Sequence, residues 1–224
     1  NFCYFEGNVL KAKEKIKWTN GQDKRHFYRL PFRSIFNHES LFKGKQALIP
    51  EKLKKIYEYT NVKLQDWRKD GKYVIVYANR GVGGWSHMDV DPNRWVIETV
   101  KKLKQYTDRP VVVKSHHGTK DTHQFRKMVS ELKDMNIPFY KASLPLNIYK
   151  NAWAAVTLSS TVGCVTLLDG IPTFAEQKSA YVKPWSAGEI SQIENPVLRD
   201  RQGFLEYYAG THWSMEDIKN GVFW

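Results

Sequence analysis

Cysteine is nearly absent: Cys3 and Cys164 are the two in 224 residues, far apart and without C-x-x-C spacing. A disulfide framework is therefore not indicated, and a reducing cytoplasm is the expected setting. No apolar run is long enough to cross a bilayer and no signal-peptide pattern opens the chain, so neither a membrane span nor export is expected. The chain starts at Asn1 rather than Met, the pattern of a trimmed chain or a fragment. Internal repeats and low-complexity tracts are lacking. So are H-E-x-x-H, Cys/His ligand spacing and G-x-G-x-x-G, which removes the common zinc and dinucleotide signatures.

Acidic charge is also scarce, with 23 Asp and Glu against 35 Lys and Arg, a formal charge of +12 and a pI near 9.5. That balance points to a polyanionic partner. The excess is densest in the first seventy residues, where Lys11, Lys13, Lys15, Lys17, Lys24, Arg25, Arg29 and Arg33 are interleaved with Trp18, Phe27, Tyr28 and Phe32. Such a mixture suits phosphates and stacked bases, so DNA is one expected partner; an acidic sugar polymer would be attracted equally well. Lys24, Arg25 and Arg29 are the candidate acceptor-binding cations, and a merely soluble basic surface is the plain alternative. Hydrophobic residues at 42% and aromatics at 14% suffice for a core of one large α/β domain, or one standard domain plus a small one.

Periodicity orders the chain. A turn at Thr19-Asn20-Gly21 between two basic, aromatic runs predicts a hairpin within residues 11–36. Pro50 begins a helix with Leu53, Ile56 and Tyr57 on one face, expected to pack on the following domain. The polar string at residues 68–72 reads as a hinge or tight link. Tyr73 to Ala78 is a buried strand, and Asp91-Pro92 caps a helix carrying Trp95, Val96, Val100 and Leu103 as far as Tyr106. Val111 to Lys114 is a second strand. Asp121 to Met135 is an amphipathic helix with Phe125, Met128, Val129 and Leu132 inward, and Pro138 to Tyr140 a short strand. Leu146 to Ala152 is a short helix, Ala154 to Leu158 a strand, and Val162 to Leu168 a buried helix. Gly170 ends that helix in a left-handed conformation, and Pro172 opens the last strand, which reaches Phe174. This alternation predicts an α/β fold with a parallel, Rossmann-like sheet over residues 71–224, beside a smaller basic lobe over residues 1–70.

In such sheets ligands sit beyond the carboxyl ends of the strands, and three polar clusters fall there. In the loop 79–85, Gly81 and Gly83 let the backbone approach a ligand closely, while Arg80 reaches for a phosphate or carboxylate. In K-S-H-H-G at 114–118, His116 is placed to act as a general base or as a cation on a leaving diphosphate, with Lys114 beside it. Zinc held by His116, His117 and His123 is a weaker idea, unsupported by ligand spacing. Ser159, Ser160 and Thr161, followed by Gly163, open the buried helix, whose N-terminus suits an anion such as a diphosphate. Ordinary loops and an ordinary helix cap are the simpler readings of these stretches. Glu176, in a polar loop at residues 175–186, is the notable carboxylate.

The pattern S-S-x-x-G, an apolar helix and G-x-P resembles the nucleotide-binding half of GT-B glycosyltransferases that build capsule and lipopolysaccharide. It resembles still more closely short glycosyltransferase-like proteins of bacteriophages. The K-x-H of Lys114 and His116 is similar to the K-x-H-P motif of the polysaccharide type, with His117 where that motif has Pro. The tail, an aromatic pair and then a Trp before an acidic helix, is similar to the phage proteins, as more loosely is H-F-Y-R-L at residues 26–30. The resemblance implies a GT-B-like C-terminal domain and transfer of a sugar from a nucleotide-sugar donor. No metal or cofactor is implied beyond that donor substrate. Lys114 and His116 would be catalytic, and Arg80, Gly81, Gly83, Ser159, Ser160, Thr161 and Gly163 would bind the donor. The acceptor implied by the phage likeness and the charge is a hydroxymethylated base in DNA, flipped from its stack, with location in the host cytoplasm. A bacterial surface glycan is the alternative acceptor. Where these families place a Glu on the helix to hold the donor ribose, this chain has Val165. A nucleic-acid-binding protein on an inactive glycosyltransferase scaffold is therefore the second class of function.

Overall fold

A computed structural model describes residues 27–29, 46–60, 62–80, 90–116, 118–141, 146–177 and 180–222. The hairpin expected within residues 11–36 lies outside these, apart from Phe27–Arg29. The chain forms two compact units, Asn1–Leu64 with Asp200–Trp224, and Gln65–Arg199. The pattern of residues places a boundary at 70/71, with the tail beside the sheet. The observed division differs because the tail supplies partners for the first unit.

The first unit begins with strand β1 (Phe27–Arg29) and helix α1 (Ile49–Tyr59), which has Pro50 in its first turn. Ile49, Lys52 and Ile56 form the buried face of α1, at the i, i+3, i+7 spacing of one helix side. Tyr57, expected inward, is instead 44% exposed. Lys52 takes the inner position because its stem lies on apolar surface while Nζ sits 3.3 Å from the Trp213 ring centroid and donates to Gly210 O at 2.9 Å.

The second unit holds β2 (Tyr73–Tyr77), α2 (Pro92–Leu103), β3 (Val111–Lys114), α3 (His123–Asp134), β4 (Phe139–Tyr140), β5 (Ala152–Thr157), α4 (Val162–Leu168) and β6 (Thr173–Ala175). The five strands are all parallel, in the order β4-β3-β2-β5-β6. Side chains alternate across them. Val74, Val76, Val111, Val113, Ala154 and Val156 face one core with Trp95, Val96 and Val100 of α2 and Met128 and Leu132 of α3. Ile75, Tyr77, Val112 and Ala155 face the other, with Tyr140, Tyr149 and Val162. Ala152 shares this second face with Ala155, three residues on, which a regular strand forbids; the register shift between Tyr73 and Val74 accommodates the slip. The helices start where the sequence sets their caps: Asp91 accepts from Asn93 N, and Thr122 from Phe125 N.

The polar string read as a hinge or tight link is a strap on the sheet unit. Gln65 N donates to Leu168 O at 2.9 Å, Arg68 N to Gly170 O at 2.7 Å and Lys72 N to Asn151 O at 2.8 Å. Gly170 has the expected left-handed backbone (φ 72°), and a Cβ there would overlap Asp66 O.

The chain then returns to the first unit as α5 (Gln202–Thr211), β7 (His212–Ser214) and α6 (Met215–Lys219). β7 pairs antiparallel with β1, and α5 packs on α1, which was expected to pack on the sheet domain. Ser214 and Asp217 cap α6 reciprocally, and Lys55 Nζ donates to Asp217 Oδ1 at 2.5 Å. Burial alone would raise the Asp217 carboxyl, but hydrogen bonds from Lys55 and Ser214 outweigh it and hold the group below the usual Asp value.

Candidate functional site

The strand order fixes where a ligand can bind. From β2 the chain steps outward to β3 and β4, then returns to the other side of β2 with β5 and continues to β6. The direction reverses between β2 and β5, and in open parallel sheets ligands bind in the crevice beyond the carboxyl ends of the strands at such a reversal.

Both walls of that crevice are polar and touch each other. Asn79, two residues beyond β2, donates from Nδ2 to Ser159 Oγ, two residues beyond β5, at 3.2 Å. Asn79 is only 4% exposed, and its Oδ1 is buried without a hydrogen-bond partner. Thr119 Oγ1, in the loop after β3, is likewise buried and unpartnered. Among the described residues of the sheet unit these are the two such side-chain atoms, and both lie in loops at this edge. Leaving a buried polar atom unsatisfied costs about 1–3 kcal/mol, so native folds retain few.

The loops after β2 and β3 are also joined. Arg80 Nε donates to Gly118 O at 3.3 Å, and Gly118 N donates to His116 Nδ1 at 2.9 Å. A Cβ on Gly118 would lie 3.1 Å from Arg80 Nε and 3.4 Å from His116 Nδ1, so glycine permits this approach. Arg80 is exposed, and no carboxylate among the described residues is paired with it. The amide of Gly118 can only donate, so His116 Nδ1 is the unprotonated nitrogen and the ring proton sits on Nε2. This contact favours the Nε2–H tautomer of His116, the arrangement suited to a hydrogen-bond donor.

Lys114 ends β3 at 5% exposure, in register with Tyr77 of β2 and Tyr140 of β4. Burial lowers its ammonium below the usual lysine value, and burial first of all pushes the Tyr77 phenol far above its own. Nζ lies 3.4 Å from Lys141 O, which follows β4, so the amine leans toward that strand rather than toward the β2–β5 crevice.

The hydroxyl turn is partly spent on its own backbone. Ser160 N donates to Thr157 Oγ1 at 2.9 Å, Val162 N to Ser160 Oγ at 3.4 Å, Gly163 N to Ser160 O at 3.1 Å and Cys164 N to Thr161 O at 3.0 Å. Thr161 makes no side-chain cap, and α4 is only seven residues long. The first amides of α4 are thus already occupied, leaving side chains as the groups able to meet an anion. Gly163 is buried and faces packing: a Cβ there would meet Val182 Cγ2 at 2.9 Å. Val165, where the resembling families have Glu, is half-buried. The Glu176 carboxylate accepts from Trp95 Nε1 and so is held against α2.

Gly81, Gly83, Lys24 and Arg25 lie outside the described residues, and for Arg29 only the backbone, in β1, is described. The structure therefore joins Arg80 with His116 through Gly118, and Ser159 with Asn79. It sets Lys114 toward β4 and buries Gly163. Asn79 and Thr119 are the polar groups missed as site residues in the sequence. The signal for Asn79 was its position, the first polar residue after the apolar run Y-V-I-V-Y-A. Among the described residues no group of three or more His, Cys, Asp and Glu is placed to hold a metal ion, and no helix is long and apolar enough to cross a membrane.

The class these features define is an α/β fold with a five-stranded, parallel, Rossmann-like sheet flanked by helices. Among solved structures the chain is similar to Thermosulfurimonas dismutans KpsC, beta Kdo 2,7 transferase, with TM-score 0.53 and 14% identity over 88% of this chain and 72% of that chain. At that identity the likeness is one of fold. No protein-family model matches the sequence, and no curated protein does.

Proposed function

We propose that this protein is a glycosyltransferase that moves a sugar from a nucleotide-sugar donor bound at the β2–β5 crevice. The observation that carries this reading is the meeting of three loops there: Asn79 on Ser159, and Arg80 on the loop holding His116. In the reaction the bond between the sugar's anomeric carbon and the phosphate oxygen breaks and its electron pair leaves with the nucleoside phosphate. The acceptor hydroxyl oxygen forms the new bond and its proton passes to solvent. The charge that develops is on phosphate oxygen. A guanidinium, a hydroxyl and an imidazole N–H are suited to meet it, each such donor being worth about 2–4 kcal/mol in a water-poor site. Lys114 adds positive potential from behind β3, and Ser160 and Thr161 border the same turn.

For the acceptor, the fold likeness to a transferase named for Kdo supports a bacterial surface glycan first. A hydroxymethylated base in DNA rests on the charge of +12 and on the bacteriophage resemblance in the sequence, with Lys24, Arg25 and Arg29 as its contacts. Val165 motivates the non-catalytic reading, a nucleic-acid binder that has lost its donor contact.

Thermal shift against nucleoside diphosphates and nucleotide sugars, beside a DNA titration at several salt concentrations, separates these readings. A rise in Tm with nucleotides is expected. Steeply salt-dependent DNA binding with no nucleotide response would replace the transferase by the binder.

A further inference from the structure

We infer that Asn79 is a positioning residue that turns the Ser159 hydroxyl proton toward the donor phosphate; this rests on the nucleotide-sugar reading above. The Nδ2 hydrogen bond occupies an acceptor lone pair of Ser159 Oγ. With that lone pair taken by an amide that can only donate, the hydroxyl proton of Ser159 has to point elsewhere, and Ser159 is half-buried at the mouth of the crevice. A hydroxyl fixed in this way is a ready donor to an anion, whereas a freely rotating one must first be ordered. The rest of the Asn79 side chain supports a ligand-directed role. A core asparagine kept for stability alone would satisfy both ends of its amide, yet Oδ1 is buried and unpartnered in a residue only 4% exposed. Thr119 Oγ1, in the loop after β3, is likewise buried and unpartnered. The inference does not depend on the dipole of the short α4, whose first amides are taken.

The amide orientation is what the experiment must address. Were Oδ1 turned to Ser159 instead, it would consume the hydroxyl proton and the site would lose its donor. Asn79→Asp imposes that arrangement without changing shape: the ionised carboxyl accepts from Ser159, and its protonated form donates to Ser159 as the amide does.

Calorimetric titration with inorganic pyrophosphate, UDP, GDP, ADP and CMP, using the full chain, gives the test. Asn79→Ala and Ser159→Ala are each expected to weaken the best-binding phosphate probe about tenfold or more, and the double variant no further than the worse single one. Asn79→Asp is expected to lose that binding at pH 7 and to recover it as pH falls and the introduced carboxyl is protonated. The matching nucleoside without phosphate should bind all variants alike. Additive losses, equal loss of nucleoside binding, or a lower Tm with phosphate affinity unchanged would overturn the positioning role while leaving the donor reading intact. Failure of every probe to bind the unaltered protein would overturn the donor reading and this inference together.

Discussion

Gly118 donates its backbone N–H to Nδ1 of His116 at 2.9 Å, and that one contact decides what the imidazole can do. With Nδ1 accepting, Nε2 is the nitrogen that carries the proton, and the ring is set up as a hydrogen-bond donor.

The first prediction follows from this tautomer. His116→Gln, which keeps an N–H near the Nε2 position, should retain at least about a tenth of transferase activity, whereas His116→Ala should lose about a hundredfold in rate. Steady-state rates of both folded variants check it. Equal inactivity of Gln and Ala variants would restore the general-base role.

Lys114 sets up a second prediction, in which stability and function move oppositely. Its ammonium is buried, and burial lowers its proton affinity below the unfolded value. The penalty is fully present below the folded value and is relieved as pH rises through it toward the unfolded one, because the unfolded chain binds more protons in that window. Lys114→Met should therefore not lower Tm near neutrality, and its advantage over the unaltered protein should shrink at alkaline pH. Nucleotide binding should nevertheless weaken. Thermal unfolding across a pH series, with a nucleotide titration, checks both halves.

The first unit has its own pH signature. Asp217 is held below its ordinary value and Lys55 above its own: burial opposes both shifts, and the Lys55–Asp217 hydrogen bond outweighs it. The Asp217 contribution is complete above the unfolded carboxyl value near 3.8 and is lost as pH falls through the folded value. The Lys55 contribution is complete below the unfolded value near 10.5 and is lost as pH rises past the folded one. Asp217→Asn should cost about 1–3 kcal/mol at pH 7 and much less in acid. Denaturant unfolding at the two pH values measures the difference.

Two contacts in the sheet unit should show clearly in its stability. Gly170→Ala combines a left-handed backbone with overlap on Asp66 O, so a loss of about 2 kcal/mol or more is expected. Arg109→Ala removes bonds to both Glu194 oxygens at 3.0 and 3.1 Å and to Gly71 O at 2.6 Å, together with stacking on Trp153, so about 2 kcal/mol is expected. Arg94→Ala, breaking an exposed pair with Glu98, should leave unfolding unchanged.

Much of this architecture is legible in the residues because local and long-range signals agree. Val111–Lys114 and Val162–Leu168 occupy the spans their patterns predict, and Asp91 caps α2 as its sequence position requires. Tyr57 and Lys52 exchanged their expected places because the decisive partner, Trp213, lies far along the chain, where periodicity has no reach. The pairing of the tail lies beyond the same reach: β7 finds its partner in β1. In the candidate site, Arg80, His116 and Ser159 could be named from strand-end position. Asn79 shares that position, but an asparagine opening a loop looks like any turn residue until its amide is seen buried against Ser159.

The central claim is tested most directly by nucleoside phosphate release from a panel of nucleotide sugars. The assay is run with a bacterial surface glycan, with hydroxymethylated DNA and with no acceptor. Release that depends on one acceptor, and that falls at least about a hundredfold in Ser159→Ala combined with Arg80→Ala, is the predicted result. Absence of acceptor-dependent release with every donor, or undiminished release by the double variant, would contradict it.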